Sequence, residues 1–147
     1  MPIPASMRRL LRLRESLERQ EEMELAFAAA RLRDAEACAT TAHAAEQEAR
    51  TALRRELEQA VSGAELQAAQ FSQQAGEQRE QILGAQLAQR ALERDTQRDR
   101  WLECNRERKT LETLDQHRRA SERLELERKT QASLDEAFLL RRPNLRP

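Results

Sequence analysis

Between Pro4 and Pro143 the chain contains no proline, and the interval is filled mainly by Ala, Leu, Glu, Gln and Arg. Proline inside an α-helix costs about 3 kcal/mol, whereas those five residues are among the strongest helix formers. The interval therefore reads as helix almost throughout. Helix-disfavouring residues and a change in polarity coincide near the middle at Val61-Ser62-Gly63. A turn there predicts helix 1 at about 6–60, a turn at about 61–63, helix 2 at about 64–141 and a flexible tail over 142–147. The expected fold class is all-α: a long two-helix antiparallel coiled-coil hairpin, one coiled-coil domain over 1–147, with an overhanging C-terminal helix end.

Such a fold has only a seam to bury, and the composition suits that. Apolar residues make up 39% of the 147 and aromatic residues 3%, which leaves too few rings to fill a globular interior. Basic and acidic side chains number 26 each and are interspersed, as on a solvated helix surface crossed by i,i+4 ion pairs. A balanced charge argues against nucleic acid as a partner. No run approaches the roughly 20 apolar residues of a membrane span. The chain reads as a soluble protein. Met1 to Arg14 is basic and free of acids, but the helical pattern continues into Glu15, Glu18 and Glu21, so it reads as helix rather than as a cleaved transit segment.

Pro2 and Pro4 stand where a helix start tolerates proline, and Ser6 is the expected N-cap of helix 1. Leu10, Leu13 and Leu17 open an apolar stripe, a polar stutter follows at Gln20 and Glu21, and heptad spacing resumes through Leu25, Ala28, Leu32, Ala35, Ala39, Ala42, Ala49 and Leu53, broken at Glu46. Alanine in a seam forgoes about 2–5 kcal/mol per leucine replaced, so the middle is expected to be only modestly stable. In helix 2, Gly76 and Gly84 each cost about 1 kcal/mol, predicting a frayed tip. Beyond them Leu83, Leu87, Ala91, Trp101, Cys104, Leu111 and Leu114 form an irregular seam. The expected core is Leu25, Leu32, Leu53, Leu87, Trp101, Leu111 and Leu114, with Trp101 opposite Leu25 and Ala28, and with Leu111 and Leu114 opposite Leu10 to Leu17.

The same pairing sets Cys104 against Glu21, roughly 25 Å along the helix from Cys38 and far beyond the roughly 7 Å a disulfide allows. Both thiols are expected to be free, which favours a reducing compartment. Helix 2 is longer than helix 1, so residues beyond about Ala120 lack a partner, yet Leu124, Leu134 and Phe138 lie near one face with Leu139 and Leu140 beside them. An apolar stripe with nothing of its own to cover it is a candidate for burial in another protein. Arg8, Arg9, Arg12, Arg14, Arg141, Arg142 and Arg146 make that end basic, which suits a partner surface that is acidic or lined with carbonyls. Catalysis and cofactors are not expected. His43 and His117 have no metal-ligating neighbours in sequence, adjacent Asp135 and Glu136 point to different sides of a helix, and neither a nucleophile pattern nor a phosphate-cradling loop occurs.

Three ordered features carry a family resemblance. They are Ser62-Gly63-Ala64-Glu65-Leu66 followed by Phe71; Trp101 followed by Arg106, Arg108, Lys109, Leu111 and Leu114; and Arg128-Lys129-Thr130-Gln131 with Leu134-Asp135-Glu136, closing in Arg141 and Arg142. Together, over about 61–142, they resemble the flagellar export protein FliJ family, while helix 1 offers no sharp motif. The resemblance implies a non-enzymatic coiled coil similar to the central stalk of rotary ATPases, working in bacterial flagellar type III export. Its implied partners are the export ATPase hexamer (FliI-like), the cytoplasmic domain of the membrane export gate (FlhA-like) and export chaperones. The implied location is the bacterial cytoplasm, peripheral to the inner membrane.

On that resemblance Leu10, Leu13, Leu17, Leu134, Phe138, Arg141 and Arg142 are the ATPase contacts, and Phe71, Ala75 and Ile82 the gate contacts. Ala75 stands where family members often carry a larger apolar residue, and this chain has no tyrosine. Phe71 has a second reading as a plug of the hairpin tip. Two other functions stay open at this point: the equivalent stalk of a virulence injectisome, and a self-associating structural coiled coil.

Overall fold

The computed structural model describes residues 5–59 and 62–142. Pro2, Pro4, Val61 and the expected tail from 143 onward, Arg146 included, lie outside the described residues. Two helices account for the fold, α1 over Ala5–Leu57 and α2 over Gly63–Arg141, and no strand occurs among the described residues.

The end of α1 tightens as helix ends do. Glu58 N–H donates to the Arg54 carbonyl at 3.1 Å, and Gln59 N–H donates to the Glu56 carbonyl, three residues back, at 3.1 Å. At the start of α2, Ser62 Oγ accepts a hydrogen bond from Glu65 N–H at 3.3 Å, and the Ser62 carbonyl accepts one from Leu66 N–H at 3.1 Å. Ser-Gly-Ala-Glu has the spacing of a capping box, so Ser62 starts a helix rather than merely disfavouring one. Gly63 is the first residue of α2 and does not take up a positive φ.

The described residues group into two compact units, one of residues 19–102 and one of residues up to 18 together with those from 103. In the 19–102 unit the less exposed positions recur every three or four residues. On α1 they include Glu21, Leu25, Ala28, Leu32, Ala35, Ala39, Ala42 and Glu46; on α2 they include Gly76, Glu80, Leu83, Leu87, Arg90, Arg94, Gln97 and Trp101. This is the alternation of a coiled-coil seam. The pairing is antiparallel: the Gln97 amide donates to the Glu21 carboxylate and, at 3.3 Å, to the Glu21 carbonyl, and His43 Nδ1 stands 3.1 Å from Glu80 Oε1.

Three expectations change. No stutter interrupts α1 at Gln20 and Glu21, because Glu21 occupies a seam position and is satisfied there by Gln97. The α2 seam is regular rather than irregular. The pairing is also displaced by about one helical turn. Ala28 shares its groove with Leu92, Glu93 and Thr96 rather than standing opposite Trp101, because α1 stops at Leu57 and the connection is centred nearer residue 60 than residue 63.

Glu46 is not a break either. Its carboxylate lies where a side chain on residue 76 would stand, and Arg50 Nε donates to it at 3.3 Å. A glycine on α2 thus makes room for a charged seam residue on α1. The substitutions Gly84→Ala and Gly76→Ala should therefore behave differently in urea unfolding followed by circular dichroism. Residue 84 has open space around it, so alanine there is expected to gain about 1 kcal/mol from helix propensity. At 76 moving the Glu46 carboxylate aside should take back part of that gain, and equal gains at both sites would refute the packing of Glu46 against Gly76.

In the other unit the alternation continues through Leu11, Arg14 and Glu18 on α1 and Cys104, Arg108, Leu111, Asp115, Arg118 and Glu122 on α2. Leu10, Leu13 and Leu17, expected to open the seam, are instead exposed at 41%, 55% and 38%, and Leu114, expected in the core, is exposed at 56%. They sit one position out of phase, about 100° around their helices. The physical reason lies in the cross-helix pairs of this unit: Arg108 and Asn105 satisfy Glu18, and Arg14 pairs with Glu107, so the stripe of Leu11, Arg14 and Glu18 faces inward and the leucines one residue away face out. Beyond Glu122 every described residue of α2 is exposed.

Candidate functional site

The seam of the terminal unit is built from charge. The Arg108 guanidinium donates to the Glu18 carboxylate, and its Nη1 reaches Glu112 Oε1 at 2.6 Å; Asn105 Nδ2 donates to Glu18 Oε1 at 2.8 Å, and Arg14 pairs with Glu107. Hydrogen bonding to Arg108, and then to Asn105, holds the Glu18 carboxyl below its ordinary range against the opposing effect of desolvation. Glu18 in turn, with Glu112, raises Arg108 above its ordinary value. One turn further along α2, Asp115 is 4% exposed and receives Arg118 at 3.0 Å and Arg119 at 2.9 Å. These groups hold one another through ion pairs along and across the seam. They are structural.

With charged groups sharing the seam with Leu11 and Leu111, four other leucines point outward. Leu10, Leu13, Leu17 and Leu114 give the terminal unit an exposed apolar flank, and a shallow groove runs between Leu10 on α1 and Leu111 and Leu114 on α2. On the overhang, Leu124, Leu134, Phe138, Leu139 and Leu140 are all exposed, with Phe138 at 69%. Arg141 and Arg142 are exposed beside them, the Arg142 N–H closing the helix on the Phe138 carbonyl at 3.2 Å. In the 19–102 unit, Phe71, Ala75 and Ile82 are exposed at spacings of four and seven residues, hence on one face of α2. Phe71 points to solvent rather than plugging the tip.

Of the expected core, Leu32 is buried; Leu25, Leu53, Leu87, Trp101 and Leu111 are half-buried at seam positions; Leu114 is out. The Trp101 Nε1 is buried and finds no acceptor among the described residues. Cys38 and Cys104 form no disulfide. Among the described residues no group of three or more His, Cys, Asp or Glu side chains could hold a metal ion, and no helix is long and apolar enough to cross a membrane. Met23, Phe27 and Leu92, large apolar side chains exposed on the flank of the 19–102 unit, do not figure among the residues expected from sequence. The signal was present: once Leu25, Ala28 and Leu32 define the seam, residues 23 and 27 fall outside it.

A hairpin of two packed helices whose distinctive surfaces are exposed apolar stripes beside balanced charge defines a coiled-coil protein that presents itself to other molecules along its sides and its free helix end. The chain belongs to the flagellar FliJ protein family, whose model matches residues 4–145. The match takes in α1, where the sequence alone offers no motif. Comparisons with curated proteins and with solved structures each found no match. Membership makes the protein a coiled-coil component of flagellar biogenesis and type III export, in a family that is structural and non-enzymatic.

Proposed function

We propose that the protein is a coupling stalk of the flagellar export apparatus, whose basic, apolar helix end docks in the export ATPase ring and whose Phe71 face meets the membrane export gate. The supporting observation is the overhang: from residue 123 to 141 α2 stays helical with every residue exposed, including Leu124, Leu134, Phe138, Leu139 and Leu140. A helix gains little from holding that much apolar surface in water unless a second surface covers it. Leu10, Leu13 and Leu17, out of the seam, extend the ATPase-facing set, and Arg141 and Arg142 supply the positive charge at its end. Phe71, Ala75 and Ile82, on one face of α2, are the gate contacts, and carriage of export chaperones completes the role. The site of action is the cytoplasmic face of the inner membrane.

Phe138→Asp tests this with little risk to the fold, since the residue touches nothing that holds the hairpin together. Binding to the export ATPase in a pull-down, and ATPase activation, are expected to fall at least tenfold, the cost of placing one charge in an apolar contact. Helicity by circular dichroism should be unchanged. Undiminished activation would remove the overhang from the interface.

A further inference from the structure

The flank of the 19–102 unit that the sequence alone did not reveal carries Phe27, exposed at 64%, and Leu92, exposed at 61%. Between them lies a groove of about 530 Å³ floored by Ala28 and bordered by Glu24, Arg31, Glu93 and Arg100. No residue of this groove belongs to the proposed ATPase or gate surfaces.

The border charges follow a pattern. On α1 an acid, Glu24, precedes a base, Arg31, by one heptad with Phe27 between them; on α2 an acid, Glu93, precedes a base, Arg100, by the same interval. Antiparallel pairing, with Gln97 on Glu21, places Glu24 and Arg100 toward one end of the groove. Arg31 and Glu93 lie toward the other, near enough for Arg31 to contribute to lowering the Glu93 carboxyl after the larger effect of Arg90. Each end is neutral and mixed, so the groove selects neither a strongly acidic nor a strongly basic partner. A second copy of the same flank, turned end for end, sets Arg31 against Glu24 and Arg100 against Glu93.

We propose that this flank is a self-association surface: two copies of the chain meet face to face about a two-fold axis near Phe27, with Glu24 of each opposite Arg31 of the other and Glu93 opposite Arg100. The axis lies across the helices, so α1 runs antiparallel to α1 of the second copy and α2 to its α2, giving four ion pairs around Phe27, with Leu92 of each copy at the edge of the patch beside Glu93. A patch about two helical turns long falls well short of the roughly 1,600 Å² of a standard interface. The association is accordingly weak and reversible, populated at high local concentration and weakened by salt.

Sedimentation equilibrium of the full chain over a range of concentrations tests this. A reversible dimer is expected, abolished by Phe27→Ser and weakened about tenfold by Glu24→Arg or by Arg31→Glu, since the two-fold doubles each repulsion. The double charge swap Glu24→Arg with Arg31→Glu is expected to restore it, because the swap re-forms both pairs. Phe138→Asp should leave it intact, which separates it from any pairing of overhangs. Circular dichroism melts confirm that each variant keeps its helices. A chain that stays monomeric at all concentrations, or a dimer indifferent to Phe27→Ser and Glu24→Arg, overturns the proposal. Restoration by Glu24→Arg with Arg100→Glu in place of the first swap overturns the pairing of Glu24 with Arg31 about the two-fold.

Discussion

Leu32→Ala should lower the unfolding free energy by about 2–3 kcal/mol, the lower part of the range for a buried leucine, because a two-stranded seam can partly close over the gap. Leu32 is the large apolar side chain that α1 buries, at 6% exposure, and its α1 seam neighbours Ala28, Ala35, Ala39 and Ala42 are alanines that contribute little area of their own. The comparison that gives the number meaning is Leu13→Ala. That leucine is 55% exposed on the flank, so its truncation should cost less than about 0.5 kcal/mol. Urea titrations followed by far-ultraviolet circular dichroism measure both. Equal losses would mean that the leucine stripe, and not the seam through Leu32, holds the terminal helices together.

The second large effect concerns the ionic seam. Arg108→Ala is expected to cost about 2 kcal/mol, because Glu18 keeps a shielded carboxylate whose main hydrogen-bond donor is gone; residual solvent access keeps the loss below that of a fully buried pair. Replacing both partners, as Glu18→Leu with Arg108→Leu, is expected to stabilise the protein by about 1–2 kcal/mol, since desolvating two charges offsets much of their attraction and two leucines need no such compensation. The pair also predicts a pH signature. The folded-state titration of Glu18 is depressed below its ordinary value of 4.5, so its contribution is complete above that range and is lost as the pH falls through the lower folded value. Thermal melts of the double-leucine variant should therefore shift less than wild type between about pH 6 and about pH 3. A parallel fall in both would assign the acid sensitivity to other carboxylates.

These two effects arise from one competition. Near the amino terminus two stripes on the same helix are candidates for the seam: Leu10, Leu13 and Leu17, and one residue out of phase with them, Leu11, Arg14 and Glu18. Composition favours the first and the structure takes the second. The leucines left outside become the exposed flank, and the charges drawn inside become the pair of Glu18 with Arg108 and of Arg14 with Glu107. The stability cost of a polar seam and the presence of a sticky surface are thus two sides of one choice of helix rotation.

The overhang and the three short segments that carry the family were legible in the sequence because each is made of residues close together in the chain. The flank at Phe27 and Leu92 was not, since its two sides come from α1 and α2 and meet only once the pairing is known. Gly76 shows the same limit. In isolation it is a weak point in a helix; opposite Glu46 it is the space that lets a carboxylate stay in phase.

What the sequence determined by itself is that this chain forms two long helices joined by a single connection, with a seam of leucine and alanine through the middle of α1. Helix propensity and spacing of three and four are properties of neighbouring residues, and they need no partner to be read. Only the tertiary structure decided the rotation of each helix about its axis and the offset between them. Both depend on contacts between residues far apart in the chain, such as Gln97 with Glu21, 76 residues away, and Arg108 with Glu18, and no property of neighbouring residues records which stripe will find its partners.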